Sequence, residues 1–207
     1  MLLKLVPDRR AWRPALRLAI IAAVLLAVLL VATQTRSGVW WRLVTFTYQV
    51  NVLAAGYYAW TLARTLARPA AESRAGLRGA VVLYVLVAGV IWNLFLTDLS
   101  MGYTPANVLL HMVVPALALA DWFLVSDGQG ELQWWFPVLW LAYPAGYLAL
   151  AVLVLNHAGR RAPYYFLDVQ AAGPVAVAAN ATILAAGFLA LGYLLFGAGR
   201  MAVRLRV

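Results

Sequence analysis

Apolar positions in this chain come in long, nearly unbroken runs rather than in one-sided stripes or short alternations. Six runs stand out: about Leu16 to Ala32, Leu43 to Leu62, Leu77 to Leu96, Ala106 to Val125, Trp134 to Leu155 and Pro174 to Phe196. A helix needs roughly 20 apolar residues to cross a hydrocarbon core about 30 Å thick. The pattern therefore predicts an all-α, polytopic membrane protein, a six-transmembrane-helix bundle forming one integral-membrane domain across residues 1–207. No stretch remains for a separate soluble domain. The first run follows Lys4, Arg9, Arg10, Arg13 and Arg17, as in the basic region of a cleaved signal peptide. A retained helix is the expectation, because Ala32-Thr33-Gln34-Thr35 lacks a clear small-x-small cleavage site and the run is long. The halves show no convincing similarity, which weakens an inverted-repeat transporter reading. Gly187, Gly192 and Gly197 lack GxxxG spacing.

Composition agrees with the pattern. Hydrophobic residues make up 65% of the chain and charged residues 11%, with a mean hydropathy of +0.84, outside the range of soluble domains. The net charge of +9 sits at the ends of the runs, which points to topology and anionic lipid headgroups rather than nucleic acid. Assigning Lys and Arg to alternate sides puts twelve on one side and four, Arg36, Arg42, Arg160 and Arg161, on the other. The positive-inside rule then places both termini in the cytoplasm. Cysteine is absent, excluding disulfides and thiol chemistry. Arginine outnumbers lysine fifteen to one, which points to a GC-rich bacterial genome and a bacterial cytoplasmic membrane. Trp40, Trp41, Trp122, Trp134, Trp135 and Tyr164 lie near run ends and read as interfacial anchors.

Against this background His111 is conspicuous, an ionisable residue well inside an apolar run. Such a residue is expensive in hydrocarbon and marks a site that needs a partner. In the expected topology Thr47, His111 and Asn93 come to a similar depth in the outer half of the bilayer. Thr47 and Asn51 are four apart and share a helix face, as do Thr45 and Gln49 on nearly the opposite face. A threonine hydroxyl is a weak nucleophile that needs an adjacent base. Desolvation disfavours the imidazolium, leaving a neutral ring able to accept the proton. No carboxylate is available in these spans to orient the ring, so Asn51 or Asn93 is the candidate for that role or for an oxyanion donor. The external segment His157 to Asp168 is aromatic enough to form a lid over the pocket, with Tyr165 and Asp168 as substrate contacts. His111, His157, Asp98 and Asp168 lack ligand spacing, so neither metal nor cofactor is expected.

These residues also carry a resemblance. Phe46-Thr47-x-Gln49-x-Asn51, Trp92-Asn93, His111-x-x-x-Pro115 with Asp121-Trp122, Tyr143-Pro144 with Tyr147, and Pro163-Tyr164-x-Phe166-Leu167-Asp168 together resemble the androgen-induced-gene/ADTRP family of six-helix membrane threonine hydrolases, particularly its bacterial branch. The resemblance runs from about Trp40 to Asp168. It implies a hydrolase like the animal members that cleave fatty acid esters of hydroxy fatty acids, with the histidine at His111. The bacterial pattern selects Thr47 as nucleophile, whereas the animal Trp-x-x-x-Thr-Phe pattern, read on Trp41 to Phe46, selects Thr45. The leading expectation is an intramembrane lipid ester hydrolase using Thr47 and His111. The rivals are a small-molecule or proton-coupled transporter and a non-catalytic lipid-binding protein.

Overall fold

The computed structural model describes residues 9–34, 42–67, 74–125, 128–155 and 163–205, which are helical with connecting turns and contain no strand. The long helices are α1 (Arg9–Gln34), α2 (Phe46–Ala67), α3 (Ala75–Leu96), α4 (Pro105–Leu124), α5 (Phe136–Leu155) and α6 (Pro174–Arg204). Five helical segments are long and apolar enough to cross a membrane: Trp12–Gln34 within α1, and α3, α4, α5 and α6. The sixth expected span, α2, is not among them. Its 22 residues suffice in length, but they include Thr47, Gln49, Asn51, Thr61, Arg64 and Thr65, and the helix falls short in apolarity. Much of this polar lining faces inward, since Thr47, Asn51, Tyr58 and Thr61 are all buried.

The chain divides into two compact units, Met1–Leu132 with Gly197–Val207, and Gln133–Phe196. In the first, α1 packs on α2 and α4, α2 on α3, and α3 on α4. Neighbours run antiparallel. At one end, Ala27 and Val31 from late α1 form a core cluster with Tyr48 from early α2 and with Ala106 and Leu110 from early α4. At the other end, Arg17 from early α1 meets Thr61 and Thr65 from late α2 and Asp121 from late α4. Trp122 belongs to this second end. It is fully buried, which corrects its reading as an interfacial anchor. The Arg78 guanidinium sits 5.3 Å from its ring centroid, and Gly199 packs so close that an added Cβ would lie 2.8 Å from its Nε1. Trp134 and Trp135 are exposed.

In the second unit an apolar groove of about 800 Å³ is lined by residues including Leu148, Val152, Val169, Pro174 and Ala178. Tyr164 stacks on Phe166 at 5.4 Å and meets the Tyr147 ring at 6.3 Å. Of the expected lid, His157, Arg160 and Arg161 lie outside the described residues, as do Lys4, Arg36, Trp40 and Trp41.

Candidate functional site

α4 begins at a conventional cap: the Thr104 hydroxyl accepts the Asn107 N–H, with Pro105 in the first turn. Five residues after the cap, its geometry changes. Pro115 has no N–H to offer the carbonyl four residues back, that of His111. The helix widens to π form over Leu109–Val113, where the Val114 N–H reaches back five residues to the Leu109 carbonyl. Such bulges re-aim side chains and recur at functional sites. Here the bulge carries His111. The His111 carbonyl also lies close against α3, where a Cβ on Gly89 would come 2.6 Å from it.

The buried imidazole is held on three sides. Its Nδ1 lies 2.9 Å from the Asn107 carbonyl oxygen and its Nε2 lies 3.3 Å from the Thr47 hydroxyl. A carbonyl can only accept, so Nδ1 carries the proton and, in the neutral ring, the Nε2 lone pair faces Thr47. Trp92 covers one ring face, stacked at 4.6 Å and 15°. Its indole N–H donates to Ser100 Oγ at 2.6 Å, and that hydroxyl donates to the Leu96 carbonyl. The Asn107 side chain donates to the Ser100 and Gly102 carbonyls, both at 2.8 Å. These bonds fix a tight turn in which Met101 and Gly102 take φ of 64° and 61°. Asn107 thus orients the ring through its backbone and the Trp92 support through its side chain.

The other expected site residues fall into three groups. Asn51 is not hydrogen-bonded to the imidazole; its amide donates to the Thr47 carbonyl at 2.9 Å and to the Leu110 carbonyl at 3.5 Å. Thr45 precedes α2, and its hydroxyl donates to the Arg42 carbonyl at 2.8 Å, while the Gln49 amide donates to the Leu43 carbonyl. Asn93 is exposed and donates to Gly89 of its own helix, so it is not brought to His111. Tyr165 and Asp168 belong to the second unit. There Tyr165 is exposed, and the buried Asp168 carboxylate accepts the N–H groups of Gln170 and Ala171 as a helix cap. Among the described residues no group of three or more His, Asp and Glu side chains is placed to hold a metal ion.

Sequence reasoning missed two features. One is Asn107 with Trp92 as the frame of His111. The other is a second polar centre at the opposite end of the same four helices, built on Arg17, Arg78 and Asp121, all buried. Asp121 opens a second π segment of α4, Asp121–Val125. Antiparallel alternation was the available signal, since it brings the starts of the first and third runs to the end of the fourth.

Comparison with protein-family models, curated proteins and solved structures found no match in any of the three. The family resemblance therefore rests on the residues and motifs that carry it. Fold and site define the chain as an all-helical protein with five membrane-capable helices and a buried Thr–His pair.

Proposed function

We propose that this is an integral membrane protein in which α2 is a sixth span and both termini face the cytoplasm, and that Thr47 and His111 hydrolyse a lipid ester. The observation that carries the reading is the 3.3 Å approach of His111 Nε2 to Thr47 Oγ1 with Nδ1 anchored on a carbonyl. This is the nucleophile, base and orienting group of a covalent hydrolase, with a backbone carbonyl in place of a carboxylate. Thr47 also occupies the first turn of α2. The helix dipole there favours negative charge.

In this mechanism Thr47 Oγ attacks the ester carbonyl as its proton passes to His111 Nε2. The tetrahedral oxyanion is stabilised by the positive end of α2. Collapse expels the alcohol, which takes the proton from Nε2, and leaves an acyl-threonine. Water then attacks with His111 again as base, releasing the fatty acid and restoring the hydroxyl. A substrate dissolved in the bilayer, with its ester just below the headgroups, suits a nucleophile at the end of an apolar helix bundle. Fatty acid esters of hydroxy fatty acids are the class that the resemblance implies.

The test is labelling of purified protein by a fluorophosphonate, with the adduct located by mass spectrometry. Wild type is expected to label at Thr47 and Thr45→Ala to label equally. His111→Ala should slow the reaction by about a hundredfold or more, the scale of a lost general base. Labelling that ignores His111→Ala, or none in a folded wild type, would remove the hydrolase reading. A second reading, non-catalytic lipid binding, is favoured by the apolar groove of the second unit; it expects co-purified lipid with no Thr47 adduct.

A further inference from the structure

Attack by Thr47 puts a positive charge on a buried ring. As the Oγ–H bond breaks and Oγ bonds to the ester carbon, the proton goes to His111 Nε2. The ring already carries a proton on Nδ1, so it is an imidazolium until the departing alcohol takes the Nε2 proton. A buried charge without a partner is expensive, and in a serine-type triad a carboxylate answers it. Here the hydrogen-bond and ring contacts of the imidazole among the described residues come from Thr47 of α2, Trp92 of α3 and the Asn107 carbonyl of α4, and none of them is charged. What α1 brings to this end of the bundle is apolar, Ala27 and Val31, and the Arg42 guanidinium before α2 lies 6.0 Å from the Tyr48 ring.

Trp92 is the contact with the electrostatics to replace a carboxylate. The face of an aromatic ring is the negative side of its quadrupole and attracts a cation within about 6 Å of the centroid, most strongly for indole and where water is excluded. At 4.6 Å and 15° the indole lies flat against the imidazole, and Trp92 and His111 are only 2% and 6% exposed. Two contacts hold the indole in that pose: its Nε1–H donates to Ser100 Oγ at 2.6 Å, and the Tyr103 ring meets it nearly at right angles, at 5.2 Å and 86°. We infer that Trp92 is a positioning residue for the base, whose π face stabilises the His111 imidazolium in place of the missing carboxylate, with the Asn107 carbonyl on Nδ1–H. Its part in catalysis rests on the hydrolase reading, whereas stabilisation of the charged ring is a property of the stack itself.

Tryptophan carrying one, two or three fluorines on its benzo ring tests it, because fluorine drains the π face while barely changing the size of the indole or its N–H. Incorporation replaces all nine tryptophans, so each sample is paired with Trp92→Phe, which removes the fluorine at position 92 alone. The first readout is a nitrogen-15 NMR titration of the full chain in micelles, with labelled histidine and His157→Gln to silence the other of the two histidines. The His111 midpoint is expected to fall by about 0.3 pH units per fluorine and to hold still across the Trp92→Phe series. The second readout is fluorophosphonate labelling at Thr47, at a pH above every midpoint, which is expected to slow by about 1.5- to twofold per fluorine. A stack that only fills space would move neither. A His111 midpoint indifferent to fluorine overturns the inference whether or not the protein labels, as does a ring that stays neutral down to the pH of unfolding. A midpoint that follows fluorine while labelling does not overturns the catalytic role. A midpoint that follows fluorine in a protein that never labels upholds the stabilised imidazolium and removes the hydrolase reading alone.

Discussion

At the scale of single residues, the candidate site depends on small side chains as much as on its reactive ones. Gly89 is the clearest case, because an alanine there would drive its Cβ against the His111 carbonyl. Gly89→Ala is expected to destabilise the protein by about 1 to 3 kcal/mol, the usual range for overpacking, and to slow probe labelling by displacing His111. A denaturant titration in micelles alongside the labelling assay checks both. His111 was legible because a lone imidazole in an apolar run needs no structure to be noticed. Thr47 was legible through its four-residue spacing to Asn51, and the start of α2 at Phe46 explains why Thr45 lies outside the helix. Asn107 was not legible, since its carbonyl does the orienting and every residue has a carbonyl. Asn93 misled because depth along a span says nothing about rotation around it.

Rotation is settled at the scale of the helix, where π segments interrupt α3 at Trp92–Leu96 and α4 at Leu109–Val113 and Asp121–Val125. Each wide turn resets the angular phase of the residues beyond it, so a constant period of 3.6 residues could not place Asn93 outward and His111 inward. Three buried residues of the two polar centres, Trp92, His111 and Asp121, lie within these segments. Pro115 supplies the cause in one of them. Pro115→Ala restores an N–H that can bond the His111 carbonyl, so α4 should relax toward regular α geometry. The expected outcome is thermal stability equal to or above wild type together with weaker labelling at Thr47. Unchanged labelling would mean that the bulge is set by packing rather than by the proline.

At the scale of the whole molecule, the long apolar helices were readable from run length alone, whereas the polar lining of α2 makes sense only once its partners are known. Arg17 is where this matters most, because it ties α1 to α2 through Thr61 and Thr65 and to α4 through Asp121. Arg17→Gln removes one charged partner of a buried carboxylate and is expected to cost about 3 kcal/mol, read as a lowered unfolding midpoint; a change under about 0.5 kcal/mol would show that the pair is dispensable. The same contact has a consequence in time. A ribosome makes α1 first, Thr61 comes 44 residues after Arg17, and Asp121 emerges only after more than half the chain has been made. Until then the guanidinium lacks the Asp121 contact. The first helix to be synthesised is therefore tied to α4 only after α2 and α3 have been made, and a chain stalled before α4 would lack the contact that joins the two.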